Sequence, residues 1–502
     1  MSPKAKIVST VSLAILFSYL FYQQNIGLNL LLFEATGILL LFFFKQIDLK
    51  RNILRFALIG VMLSLGSYMI NYSAFALIMN FLFGIFFIGL LTYPELKNKF
   101  LAFFIAGISA VVSPVGFVKN LSEHFKNSNR FLSKLWRAKM YILPILVSLV
   151  FISIYRNSNP FFNNIIGFIE KYTFDKIPNV FDFIDIPWLS VFIWGLLISS
   201  FIFIRYVFAD IVLFDKQHPF EITRNNKSPR YFSFKPNALQ TEAKLGVVLF
   251  ITLNTILLVL NCIDIYWVWF NFKWDGGYLK QFVHEGTYLL ILSILLSIVL
   301  VLYYFRANQN FNPKNKLLQK LSYVWLIQNA ILCLSVGIRN YWYIDYFNLA
   351  YKRIGVIIFL VITLYGLYTV YVKVKNKRSL SYLISTNTLS ILSILLLSSM
   401  FNWDSIIAKY NFRNADKSFL HLNFMIELSD KSLPYLDKSL QELESIEKNQ
   451  SILFDFEKDY LSARDYYTKL QERKEAFLNP NEHLDWRSWN YAEYNARKCL
   501  KQ

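Results

Sequence analysis

Long apolar runs separated by short polar stretches set the pattern of this chain, and its charged residues gather in the gaps. A helix that crosses a bilayer needs roughly 20 predominantly apolar residues, with shorter runs tolerated where the bilayer thins. Moved along the sequence, that ruler predicts eleven crossings, at about 7–22, 26–44, 53–71, 73–93, 140–155, 186–206, 243–262, 284–305, 318–337, 353–373 and 383–401. The first run follows Lys4 and Lys6 as a secretory signal would, but no small-residue cleavage site comes after it, so it is expected to remain as a span. One further run, Leu101–Val118, has basic residues on both sides and is interrupted by Pro114 and Gly116. A re-entrant or interfacial hairpin satisfies those flanks, whereas a full crossing would leave a basic loop outside.

Composition agrees with this pattern, since hydrophobic residues make up 55% of the 502 and place the chain beyond the range of a soluble globular domain. Of the 52 Lys/Arg and 33 Asp/Glu, residues 403–502 hold 15 and 17, leaving 37 and 16 for the apolar part. The excess positive charge sits in short loops: "KQIDLKR" at Lys45, "KNLSEHFKNSNRFLSKLWRAK" at Lys119, residues 216–235, "RANQNFNPKNK" at Arg306 and "KVKNKR" at Lys373. Basic loops stay in the cytoplasm, so the charge is read as topology and not as a nucleic-acid surface. The N-terminus is then cytoplasmic, and after eleven crossings residues 403–502 are extracytoplasmic.

The division expected is a polytopic transmembrane domain over 1–402 and an extracytoplasmic helical C-terminal domain over 403–502. In the latter, Ser432 can cap a helix with Pro434 in its first turn and Leu436, Leu440 and Leu443 at helical spacing. A second helix is expected over 456–477 and a third within "DWRSWNYAEYNARKCL". The fold class is thus an all-α integral membrane protein with about eleven transmembrane helices, one re-entrant or interfacial hydrophobic segment and a small C-terminal helical domain. Cys262, Cys333 and Cys499 are too far apart in sequence for a metal or disulfide motif, and no metal or cofactor is expected.

Candidate chemistry lies mostly at the outer ends of the spans. If "GIRNYWYIDYFNLAYKR" at Gly337 forms a helix in the outer interface, Arg339, Tyr343, Tyr346, Ala350 and Arg353 share one face at 100° per residue. Forked guanidiniums and phenols on one face could hold an anionic lipid head group or substrate. The alternative is an aromatic belt around Trp342 with arginines snorkelling to phosphates. On the same side lie His284, Glu285, Asp264 and Asp275, materials of an acid–base site, although adjacent helical residues such as His284 and Glu285 diverge by 100°. Within the spans, Glu34 is the clearest anomaly, and Asn254, Asn261, Gln328, Asn329, Asn387, Ser390 and Ser393 form polar stripes. Such residues bond between helices or line a wet pathway.

"NIGLNLLLF" at Asn25, "YRNSNPFF" at Tyr155, "TEAKLGVVLFITLN" at Thr241, "VHEGTYLLILSILLSIVL" at Val283, "RNYWYIDYFNLAYKR" at Arg339 and "LSDKSLPYLDKSL" at Leu428 occur in that order. Together they resemble the bacterial polytopic membrane family catalogued as domain of unknown function 4173. This chain has Tyr346, Phe347, Asn348 and Leu349 where that family shows a Tyr-Gly-Leu-Thr run. The resemblance implies a multi-pass protein of the bacterial inner membrane and no established chemistry.

No HExxH, GxSxG or glycine-rich phosphate loop is present, so an enzyme is not favoured. The first function class is a non-catalytic sensor, scaffold or envelope assembly factor whose partners are the lipid bilayer and an anionic lipid or envelope protein. A transporter or lipid translocator with a polar intramembrane pathway is the alternative, and an enzyme acting on a lipid head group stands third. A wet cavity at Glu34 would favour transport, a closed pocket holding His284 with Arg339 an enzyme, and a dry bundle the scaffold.

Overall fold

The computed structural model describes residues 1–125, 152, 160–174, 186–224, 238–272, 276–312, 315–454, 461–479 and 485–502. In chain order the helices are α1 (Pro3–Phe21), α2 (Leu28–Phe43), α3 (Asn52–Asn71), α4 (Ala74–Thr92), α5 (Lys99–Phe125), α6 (Pro160–Phe174), α7 (Ile186–Phe203), α8 (Ala209–Gln217), α9 (Ala238–Asp264) and α10 (Gly276–Tyr304). They continue with α11 (Lys316–Phe347), α12 (Tyr351–Lys375), α13 (Leu380–Ser399), α14 (Trp403–Arg413), α15 (Leu422–Ile426), α16 (Leu433–Leu436), α17 (Leu440–Leu453), α18 (Ala463–Leu478) and α19 (Tyr491–Leu500). Among the described residues eight helices are long and apolar enough to cross a membrane, namely α1, α3, α4, α5, α9 with its π-helical extension to Phe270, α11, α12 and α13. Shorter apolar helices add Leu28–Phe43, Pro187–Phe203 and Tyr288–Tyr304. The all-α, multi-spanning class follows from the need of lipid-embedded backbone to satisfy its own hydrogen bonds. The crossing expected over 140–155 lies outside the described residues, apart from the isolated Ile152.

Two segments among the spans depart from expectation. Leu101–Val118 is not a hairpin: α5 runs unbroken through Pro114, and Gly116 leaves room for Ile204, which a β-carbon there would approach to 3.0 Å. Proline removes one helical hydrogen bond but need not end a helix among apolar neighbours. Along its length α5 meets Gly89 in the last turn of α4 through Ala102 and Ala106, then Tyr206 through a Ser109 hydroxyl at 3.2 Å, then Ile204. These contacts all fall at one end of the bundle. Second, α11 does not stop near Gly337 but stays helical to Phe347, ending where Asn348 takes φ 64° and ψ −174°.

The connections sort into two ends. At the basic end, Arg51 donates to the carbonyls of Leu90 and Pro94 at 3.3 and 3.0 Å, and Asp215 of α8 accepts the amides of Lys97 and Asn98 at 2.7 and 3.2 Å. Arg205 meets Gln46 at 2.5 Å, Arg378 meets Glu221 at 2.7 Å, and Lys373 donates to the Phe305 carbonyl at 2.8 Å. At the other end the turn between α1 and α2 is covered by residues 485–489: the Leu28 amide donates to the Trp489 carbonyl at 2.9 Å and the Asn25 amide to the Ser488 hydroxyl at 2.9 Å. Gly27 permits this approach, since a β-carbon there would lie 2.5 Å from the Ser488 carbonyl group.

One buried cluster joins α1–α5, α7 and α13, a second joins α9–α13, and α13 contributes Leu392 and Leu396 to the first and Leu383 to the second. A third, built on Leu420, Met425, Leu433, Leu436, Leu443, Tyr466 and Leu470, forms the helical cap and includes Ile354 of α12. The helix expected from Ser432 is two: α16 ends at Leu436, and α17 restarts at Leu440 because the Ser439 hydroxyl accepts the Glu442 amide at 3.2 Å. The second cap helix is described from Ala463, where Ser462 accepts the Asp465 amide at 3.1 Å; the start expected at 456 lies outside the described residues.

Candidate functional site

Intramembrane polar residues come together along the interface of α9 and α11, which run in the same direction. Gln328 donates to Asn254 Oδ1 at 2.7 Å, Asn254 donates to the Leu321 carbonyl at 3.2 Å, and Asn261 donates to the Gln328 carbonyl at 3.1 Å. Toward the cap end the seam continues as Ser335 to Asp264 at 2.7 Å, Arg339 to Asp264 at 2.5 Å, and the Trp342 indole to the Val268 carbonyl at 2.9 Å. The side chains of Arg339 and Asp264 are each only 5% exposed, so this is a buried, hydrogen-bonded ion pair. Arg339 therefore points into the bundle, toward a carboxylate that the sequence had set on the same side without pairing the two.

Arg353 stands apart from Arg339. Its guanidinium lies 4.4 Å over the Tyr343 ring and donates to the carbonyls of Phe347 and Asn348. Asn348, in a backbone region that glycine favours, is held by donation of its amide to the Phe419 carbonyl at 3.1 Å, while Asn411 exchanges two hydrogen bonds with the Leu349 backbone at 2.8 and 3.0 Å. The Phe419 amide donates to the Tyr346 carbonyl at 2.8 Å. The turn between α11 and α12 is thus clamped by Arg353 and by the cap.

Glu34 on α2 accepts from the Asn80 side chain of α4 at 3.1 Å, and Gly37 lies near Leu13 and Ile202. Asn387 on α13 pairs with Thr369 on α12 at 3.0 Å. His284 and Glu285 fall within α10, but their side chains, like Asp275, lie outside the described residues. Among the described residues no three His, Cys, Asp or Glu side chains gather as a metal site.

A site not anticipated from the sequence lies where the cap meets the spans. A cavity of about 420 Å³ opens between the start of α4, the start of α12, the end of α13 and the cap. Its apolar wall is Phe75, Ile354 and Ile358, and its polar side carries Asp404 and Lys431. Lys431 Nζ lies 3.0 Å from Asp404 Oδ2 and donates to the Tyr72 carbonyl at 3.2 Å. Asp404 also accepts from the Tyr351 and Ser429 hydroxyls. Burial pushes the Asp404 carboxyl up, but the Lys431 charge and the three donors outweigh it and hold it below its ordinary value. Trp403 donates its indole N–H to the Ser398 carbonyl at 2.8 Å, which pins α14 to the end of α13. The signal that could have found this site was an aspartate directly after the last span and the "LSDKSLP" run at Leu428.

No curated protein and no solved structure matches the chain. The resemblance to domain of unknown function 4173 is corrected by a match over residues 8–439 to a different family. The segments that suggested the first are short and mostly apolar, and apolar positions recur between unrelated spans. The matched region ends at Ser439, the residue that caps α17, so it takes in Asp404 and Lys431 together with the spans. The protein is a multi-pass bacterial membrane protein that belongs to the family described as Domain of unknown function (DUF4153).

Proposed function

We propose that the protein is a non-catalytic sensor or scaffold of the bacterial inner membrane, with the basic end in the cytoplasm and residues 403–502 as an extracytoplasmic helical domain that receives its partner. One observation carries this reading: Glu34, Asn254, Asn261, Asp264, Gln328 and Arg339 all bond across helix interfaces, where a transport path would leave such groups facing a lumen. The loops and helix ends at the basic end carry Lys45, Arg51, Lys97, Lys99, Lys373 and Arg378, the distribution expected of a cytoplasmic face. The second reading, translocation, draws on Asn261 Oδ1, Gln328 Oε1 and Asn329 Oδ1, buried acceptors without hydrogen-bond partners that water could reach in another state.

Glu34 separates the two. Under the scaffold reading Glu34→Gln keeps an acceptor for Asn80, so thermal stability and complementation of a deletion strain should match wild type, while Glu34→Leu lowers stability. Lost complementation by a stably folded Glu34→Gln protein would favour transport instead. Orientation has its own check. A fluorescent protein that matures only in the cytoplasm, fused after Gln502, should stay dark, and the same fusion before Met1 should fluoresce. The opposite pattern would reverse the assignment of the two ends.

A further inference from the structure

We infer that the junction cavity is a lipid site: it takes a phosphate-bearing lipid of the outer leaflet, with the phosphate at the start of α4 and an acyl chain against α12. The inference deepens the sensor reading, because it names what the junction of cap and spans would sense. Its apolar wall comes from the N-terminal parts of two apolar helices of membrane-spanning length and its polar side from the cap, the combination that suits a lipid phosphate above an acyl chain.

The polar groups that line it are mostly donors. Ser73 caps α4, its oxygen accepting the Ala76 amide at 3.1 Å, so the amides of Ala74 and Phe75 precede the first internal acceptor of a 19-residue helix. A helix start of that kind favours phosphate. Independently of that, Ser398 is one of the residues lining the cavity, is 6% exposed as a residue, and has a buried hydroxyl with no hydrogen-bond partner. A buried, unpartnered hydroxyl is destabilising unless something fills its need. Lys431 has three N–H donors, and the two contacts to Asp404 and Tyr72 use two of them. Because Asp404 balances the charge of Lys431, attraction comes from directed donors more than from net charge.

The apolar half supplies room. A β-carbon at Gly355 would meet no atom within 4 Å, and this residue sits between Ile354 and Ile358 on the cavity wall. A chain lying there would occupy the space that glycine leaves, while its phosphate reaches Ser398, Lys431 and the α4 amides. A free phosphate would use only the polar half, and a diacylglycerol only the apolar half.

The test uses the full chain in neutral detergent at about 0.5 M salt, where adhesion to exposed charge is screened. Thermal unfolding is followed with added phosphatidylglycerol, with diacylglycerol of the same chains, and with glycerol phosphate. Wild type should be stabilised by phosphatidylglycerol alone. Gly355→Leu fills the groove and should abolish the shift. Ser398→Ala removes the unpartnered hydroxyl, so it should melt at or above the wild-type temperature without lipid, yet bind phosphatidylglycerol about tenfold more weakly. Equal shifts in all three proteins would overturn the proposal. So would stabilisation of wild type by diacylglycerol or by glycerol phosphate to the same extent, the first meaning an apolar groove and the second an ion site. A lipid shift that responds to both substitutions while Glu34→Gln fails to complement would keep the lipid site and remove the scaffold reading.

Discussion

Arg339→Ala is expected to destabilise the bundle by about 3–5 kcal/mol, because it leaves the Asp264 carboxylate buried beside Ser335 with no counter-charge. Arg339→Lys should recover part of this, since it keeps the charge but not the longer, planar guanidinium whose Nη2 reaches Asp264 Oδ1. The double variant Arg339→Met with Asp264→Leu should be far milder than Arg339→Ala, as an apolar pair of similar size leaves nothing uncompensated. Unfolding in mixed micelles with rising denaturing detergent gives the three values. If Arg339→Ala unfolds like wild type while losing bound anionic lipid, the guanidinium serves a ligand and the pairing with Asp264 is incidental.

Lys431→Met is the counterpart at the cap junction, with an expected cost of about 3–5 kcal/mol from an unpaired Asp404, whose side chain is 12% exposed. The same pair makes the junction acid-sensitive. Asp404 titrates below its ordinary value in the folded protein, so the unfolded chain binds that proton more readily. The stabilisation is complete above the ordinary carboxylate range and is lost as pH falls through the lowered value, which places the loss below about pH 4. Trp403, whose indole bonds to the Ser398 carbonyl, reports the junction by its fluorescence. Wild type should show an acid transition there that Asp404→Asn lacks, and identical acid limbs would assign the transition to other carboxylates.

The heptad between Asn254 and Asn261 was legible because spacing along one helix is a property of sequence, and its partner on α11 was flagged as a polar residue at Gln328. The pairing itself was not legible, since which helices adjoin depends on packing that no local pattern encodes. The same limit hid Asp264 from Arg339, 75 residues apart, and Lys431 from Asp404. Helix ends were misplaced where tertiary contacts decide them. The apolar run predicts an end at 337 with a separate interfacial helix after it, but one helix runs on to Phe347 and ends at Asn348, where bonds from Arg353 and to Phe419 hold a left-handed residue. Pro114 was read as a break, yet its neighbours keep α5 helical. Asp404 went unremarked because a charge beside the last span is ordinary, and only the fold encloses it.

The contact of residues 485–489 with the first turn of the bundle bears on the order of assembly. Asn25 and Ser488, joined by a hydrogen bond, are 463 positions apart, so the ribosome delivers the second long after the first hairpin has entered the bilayer. Until then the amides of Asn25 and Leu28 and the bare backbone at Gly27 lack their cover. Closure of the cap over this turn therefore waits until residues 485–489 have been made, and a chain stalled before Asp485 leaves the turn open.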